Sequence, residues 1–218
     1  MGEVTIFKEK DIFKGVHSFV CGMTQSGKTY FTIHELQKTR QPVLFFNPQN
    51  ETVKGFIKAT RLDNIDLIVK ALKNGGKINY IPEFMGENAD FVASCEFCML
   101  VETLFGQFQK SKPIVFAIDE VHMLSNRKES KIALKRVANR GLTWGLNAVF
   151  ISQRPADVPY TIYTQCDKQY IFFTGMEKEY FRRKGIDYED LKHRIGNQKE
   201  AYNFCVYDNV NLEGAYRI

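Results

Sequence analysis

Three short stretches of this sequence carry residues that together can do phosphate chemistry. The first is Gly22-Met23-Thr24-Gln25-Ser26-Gly27-Lys28-Thr29, in which two glycines are spaced by four residues and followed at once by Lys-Thr. Glycines let the backbone fold tightly enough for successive N–H groups to converge on an anion. A helix beginning at Lys28 adds its free amides and its dipole to the same anion. In this pattern Lys28 reaches the β- and γ-phosphates of a nucleotide such as ATP, and the Thr29 hydroxyl ligates Mg²⁺. The second stretch, Ile114-Val115-Phe116-Ala117-Ile118-Asp119-Glu120, is an apolar run ending in two acids. An Asp at the tip of a buried strand can hold Mg²⁺ through water. The Glu after it can orient and deprotonate an attacking water. By itself such an Asp-Glu pair reads as a helix cap; beside a complete phosphate loop it reads as catalytic. His122 follows, either behind the site or as a satisfied structural histidine. The third stretch, Asn147–Ser152, runs into Gln153-Arg154-Pro155. A neutral amide at a strand tip can hydrogen-bond both a γ-phosphate and the lytic water.

Positioning these groups requires strands that end where the motifs begin. Apolar or β-branched runs predict strands over His17–Cys21, Val43–Asn47, Lys77–Ile81, Ile114–Asp119, Ala148–Ser152, Gln169–Phe173 and Ala201–Val206. Between them, helices are expected over Lys28–Thr39, Asn64–Lys73, Ala89–Gln109 and Glu129–Asn139, with two shorter ones across Met176–Ile195. Alternation of this kind implies an α/β fold with a mainly parallel central sheet flanked by helices, the three-layer architecture of P-loop NTPases. Several strands are apolar nearly throughout, as strands covered on both faces should be. With no linker or repeat in view, residues 1–218 read as one domain.

Composition narrows the setting. A net charge of +5 permits a polyanionic partner without requiring one. The apolar runs fall short of the ~20 residues of a membrane span, and the N-terminus has no signal-peptide pattern. The expectation is a protein that is not integral to a membrane. The odd number of scattered cysteines suits a reducing compartment. Cys95 and Cys98 form a CxxC, but no second ligand pair follows at zinc spacing, and the surroundings read as a buried helix.

The stretches GMTQSGKT, IVFAIDEVH and NRGLTWGLNAVFISQRPADVP, with the strand QYIFF after them, resemble the HerA/FtsK superfamily of DNA-pumping ATPases. The likeness spans about residues 16–185 and is most specific from Arg140 to Pro159. Within the superfamily the chain is most similar to the small genome-packaging ATPases of icosahedral viruses with internal membranes, including the archaeal turreted viruses. The resemblance implies an ASCE, RecA-like sheet with the Ile151 strand between the phosphate-loop strand and the Asp119 strand. It also implies a homo-oligomeric, hexameric ring around double-stranded DNA of any sequence. Activity in the host cytoplasm, virion association, and contact with capsid or membrane-vertex proteins follow from the same likeness. Lys28 and Thr29 then take the phosphate and magnesium roles, Asp119 and Glu120 the metal and water roles, and Gln153 the sensor role. Arg140 matches the arginine inserted into a neighbouring subunit's site. Many relatives carry an Asp where Asn47 stands, so Asn47 is assigned no catalytic role. The barrel domain of HerA helicases and the anchor and winged helix of FtsK are not recognised, which favours a minimal viral motor.

Several points stay open on the sequence. Arg136, Arg154, Arg182 and Arg183 are further candidates for the trans arginine. The Lys128–Arg140 helix carries Lys128, Lys131 and Lys135 on one face, either to track DNA phosphates or as a solvated surface. A filamentous-phage assembly ATPase similar to the zonula occludens toxin family is the alternative, although such proteins normally carry a transmembrane segment. A small-molecule kinase is a third reading, opposed by Glu120 and Gln153.

Overall fold

The computed structural model describes residues 4–83, 88–175, 178–196 and 201–217. Its strands are β1 (Thr5–Ile6), β2 (Ser18–Cys21), β3 (Val43–Phe46), β4 (Ile57–Ala59), β5 (Lys77–Tyr80), β6 (Ile114–Ile118), β7 (Leu146–Ser152), β8 (Lys168–Phe172), β9 (Phe204–Tyr207) and β10 (Leu212–Arg217). Its helices are α1 (Lys28–Lys38), α2 (Ile65–Lys73), α3 (Ala89–Leu104), α4 (Val121–Ser125), α5 (Lys128–Arg140), α6 (Tyr160–Thr164), α7 (Lys178–Arg182) and α8 (Tyr188–Ile195).

All ten strands join in one sheet in the order β1-β10-β9-β8-β2-β7-β6-β3-β5-β4. From β8 to β4 every neighbouring pair is parallel. β9 turns back antiparallel to β8, and β10 runs antiparallel to β9. β7 lies between β2 and β6, the order implied by the resemblance. The fold is that of a P-loop NTPase, with a sheet between two helical layers.

Side chains alternate across the central strands. Phe19, Leu44, Phe116 and Phe150 face one core with residues of α3 and α5. Val20, Phe45, Val115 and Val149 face the other, which Phe31 and Leu36 of α1 close together with Phe7 and Phe13. Both faces are covered, so β2, β3, β6 and β7 are buried at every position. Phe31 is fully buried; trimming such a side chain to Ala costs about 3–5 kcal/mol. This packing holds the start of α1 rigidly against the tip of β2.

Some boundaries differ from the sequence reading. α3 stops at Leu104, not Gln109, because Gly106 takes φ +89° and Gln107 N–H bonds the Leu104 carbonyl at 3.1 Å. That helix is buried on one face only: Phe91, Cys95 and Met99 point outward. β9 begins at Phe204, since Tyr202 adopts φ +53°. Met176, the expected start of the late helices, lies outside the described residues. β1, β4 and β10 were not expected. Among the described residues no helix is long and apolar enough to cross a membrane.

Candidate active site at the strand tips

Parallel strands bring the three motifs to one edge of the sheet. β2, β7 and β6 end at Cys21, Ser152 and Ile118, in register through Cys21–Ser152 and Ile118–Phe150. Each motif follows its strand directly, so the sheet order sets them side by side.

The phosphate loop leaves β2 in a tight turn. Gly22 N–H bonds the Ser152 carbonyl at 3.3 Å, and Met23 N–H bonds the Phe173 carbonyl at 2.8 Å. A Cβ on Gly22 would stand 2.6 Å from both Phe172 Cβ and Ser26 Oγ, so only glycine fits. Gln25 at φ +62° and Gly27 at φ +96° complete the turn. Ser26 is buried against it, whereas Met23, Thr24 and Gln25 are exposed. Gly27 caps α1 without a side-chain bond, and the first turn carries no acid, leaving its amides open to an anion. Lys28 is buried, and its ammonium has no hydrogen-bond or ion-pair partner among the described residues. Asp119 and Glu120 reach this buried cation only at longer range, and a phosphate would supply a direct counter-charge.

The acids sit opposite. Asp119 is anchored by its N–H to the Phe46 carbonyl at 3.0 Å, and its Oδ1 accepts from Glu120 N–H at 2.9 Å. Burial first, then the Glu120 charge, push the Asp119 carboxyl up to about 7. Glu120 takes φ +51°, and its Oε1 accepts from Gln153 Nε2 and, at 2.8 Å, from Gln49 Nε2. His122 Nδ1 stands 3.1 Å from Glu120 Oε2, close enough for charge to act but not aligned as a hydrogen bond. Burial raises the Glu120 carboxyl, but His122 and Gln153, with Lys28 behind them, outweigh it and hold the group below its ordinary value. Thr24 Oγ1 in turn donates to Gln153 Oε1. The chain Thr24–Gln153–Glu120–Gln49 therefore links the tips of β2, β7, β6 and β3.

Sequence reasoning missed the β3 side. Buried Asn47 binds the Glu51 carbonyl at 2.9 Å and Asn79 Oδ1 at 3.0 Å, and Asn79 Nδ2 reaches the same carbonyl at 2.8 Å. These amides pin the loop after β3, which puts Gln49 and Glu51 on the wall of a cleft of about 650 Å³. Thr24, Gln25, Gly27, Lys28, Thr29, Glu120 and Gln153 line the same cleft. A divalent cation fits the donors present. Asp119, whose carboxyl is raised by burial beside a second carboxylate, and the Thr29 hydroxyl are oxygen ligands of the kind Mg²⁺ takes together with substrate phosphates.

Arg140 falls elsewhere. It ends α5 and, with Gly141, enters the N-terminal end of β7, where Leu146 N–H bonds the Gly141 carbonyl at 2.8 Å. Gln153 leaves the opposite end of that seven-residue strand, about 20 Å away at ~3.3 Å per residue. Arg140 therefore cannot serve its own cleft. Of the other candidates, Arg136 pairs with Glu102, and Arg182 and Arg183 pair with Glu179. Arg140 and Arg154 are exposed, with no ion pair among the described residues.

The sequence matches no protein-family model and no curated protein. Solved structures do match. The chain is similar to the genome packaging NTPase B204 from Sulfolobus turreted icosahedral virus 2 in complex with ATP-gammaS, at 18% identity and a TM-score of 0.68, over 93% of this chain and 98% of that one. It is similar to B204, the DNA-packaging ATPase from Sulfolobus turreted icosahedral virus, at 17% identity and a TM-score of 0.66, over 95% and 100%. It also resembles Thermomonospora curvata EccC (ATPases 2 and 3) in complex with a signal sequence peptide, at 13% identity and a TM-score of 0.55, over 94% of this chain but 38% of that one. At these identities the likeness is one of fold.

Proposed function

We propose that this chain hydrolyses ATP with Mg²⁺ and couples the reaction to moving double-stranded DNA of any sequence, as the motor that packages a viral genome. The observation that carries the hydrolytic part is the hydrogen-bonded chain from Thr24 through Gln153 to Glu120 and Gln49. It ties the phosphate loop to a carboxylate held ready to take a proton from water, a group a kinase does not need. Lys28 and the amides of the loop bind the phosphates, and Thr29 and Asp119 hold the cation. Gln153 spans the γ-phosphate position and Glu120, so it can sense whether the γ-phosphate is present. Bound magnesium would neutralise charge on the phosphates.

The packaging part is supported by the likeness in fold to B204 over nearly its whole length. Lys128 and Lys131 are exposed and Lys135 is half-buried on α5, with no ion pair among the described residues, a face able to follow DNA phosphates. The position of Arg140 favours a ring in which it completes a neighbour's site, and a hexamer is the form we assign. The setting is the host cytoplasm, with association to the virion through capsid or membrane-vertex proteins.

The test is the rate of ATP hydrolysis with and without unrelated duplexes at several salt concentrations. Stimulation by every duplex alike, fading as salt rises, supports the reading. A rate indifferent to DNA but raised by a secretion-signal peptide would replace it with an export ATPase, a reading the EccC likeness favours.

A further inference from the structure

The cleft has two chemically different ends, and the sheet order says which is which. β2, carrying the phosphate loop, lies in the middle. On one side, through β7, β6 and β3, stand Gln153, Glu120 and Gln49. On the other side, past β8, come β9 and β10. β9 runs antiparallel, so its first residues meet the cleft; β10 reverses again, so its last residues do. Tyr202 just before β9 and Arg217 at the end of β10 therefore line the cleft at the end away from the acids, with Tyr30 of α1. A nucleoside triphosphate with its γ-phosphate at Gln153 and Glu120 must point its base toward this second end.

That end offers an aromatic ring and a cation. Tyr202 is 48% exposed, yet its backbone is held at φ +53°, a conformation a bulky aromatic rarely adopts without cause. Its ring lies against the phosphate-loop turn, with Cδ1 3.0 Å from where a Cβ on Gly27 would stand. Asn203 fixes the neighbouring cation: Arg217 Nε and Nη2 both donate to its Oδ1 at 3.2 Å, while Asn203 Nδ2 holds the Ile195 carbonyl at 3.2 Å. Arg217 offers donors only, and adenine and guanine both present the N7 acceptor. Asn203 is itself buried and its carbonyl oxygen is taken up by Arg217, so it presents nothing to the exocyclic groups that tell the two apart.

We infer that Tyr202 is a stacking shelf for the base, flanked by Arg217, and that the site accepts purine nucleoside triphosphates by ring face without selecting adenine over guanine. This rests on the reading of the cleft as a nucleotide site and adds its base end.

Titration calorimetry with ATPγS, GTPγS and inorganic tripolyphosphate tests it on the parent, Tyr202→Phe and Tyr202→Ala. The parent should bind the two nucleotides within about fivefold of each other, and Tyr202→Phe should match it. Tyr202→Ala should weaken both by about 5- to 150-fold, the range for one lost base–aromatic stack, and leave tripolyphosphate affinity unchanged. Unchanged nucleotide affinity in Tyr202→Ala would overturn the inference. So would an equal loss for tripolyphosphate, which marks Tyr202 as a support of the loop, or a hundredfold preference for one purine. A parent that binds none of the three ligands overturns the nucleotide reading itself, a result distinct from the others.

Discussion

Gln49 Nε2 donates to Glu120 Oε1 across 2.8 Å, reaching from the loop after β3 to the acid after β6. With Gln153 on the same oxygen, it fixes the carboxylate from two sides. A hydrogen bond to a charged group is worth about 1.5–3 kcal/mol. Gln49→Ala should therefore lower kcat by roughly 10- to 100-fold, with KM and melting temperature near the parent's. Gln49→Glu should be worse, because it sets a second carboxylate against Glu120. Steady-state kinetics check both, and a change confined to KM would place Gln49 on the nucleotide instead.

Lys28 is buried at 4% exposure and makes no direct ion pair among the described residues, with the charges of Asp119 and Glu120 acting on it only at longer range. Lys28→Ala should abolish hydrolysis while leaving a folded nucleotide-free protein, since the ammonium makes no hydrogen bond or direct ion pair within the described residues. Added ATPγS should raise the parent's melting temperature and leave the variant's unmoved. Thermal melts with and without nucleotide read this directly.

His17 ties the base of β2 to β7, its Nδ1 accepting from Ala148 N–H at 2.9 Å. Burial lowers its pKa to about 4, against an opposing pull from Asp167. The unfolded chain binds this proton from about pH 6.5 downward and the folded chain only near pH 4, so stability falls as pH drops through that window. The contribution is fully present above pH 6.5, and the loss reaches about 3 kcal/mol by pH 4. Denaturant titrations of the parent and His17→Gln should show the steeper acid loss in the parent. Parallel pH profiles would contradict it.

Arg140 lies at the wrong end of β7 for its own cleft, so its effect on hydrolysis should depend on assembly. Arg140→Ala and Glu120→Gln should each be inactive, Arg140→Ala by about 10³–10⁵-fold, the usual worth of such a finger. Mixed rings pair an intact Glu120 with an intact neighbouring Arg140 at some interfaces, and activity should return in part. Mixed rings that form and stay inactive would move the role to Arg154.

Much of the site could be read from the sequence because each motif follows its strand without a gap. Gly22–Thr29, Asp119-Glu120 and Gln153 needed only the strand order to converge. Gln49 and Glu51 could not be read, since the loop carrying them is set by the buried amides of Asn47 and Asn79, which are distant in sequence. Tyr202 and Arg217 were missed for a related reason. They meet the cleft only because β9 and β10 reverse direction, and β10 (Leu212–Arg217), partly exposed and broken by Gly214, gave no apolar run to flag it. The α3 boundary failed on Gly106, whose left-handed turn cannot be told from a tolerated helical glycine.

The claim that hydrolysis at Lys28, Glu120 and Gln153 drives duplex DNA is tested most directly by displacement of a triplex-forming strand. A third strand is annealed to a duplex of arbitrary sequence, and its release is followed with the parent, with Glu120→Gln, and with ATP or ATPγS. The strand should be released only by the parent with ATP, at a rate that tracks hydrolysis and on every duplex tried. ATP hydrolysed at full rate while the triplex stays intact would contradict it.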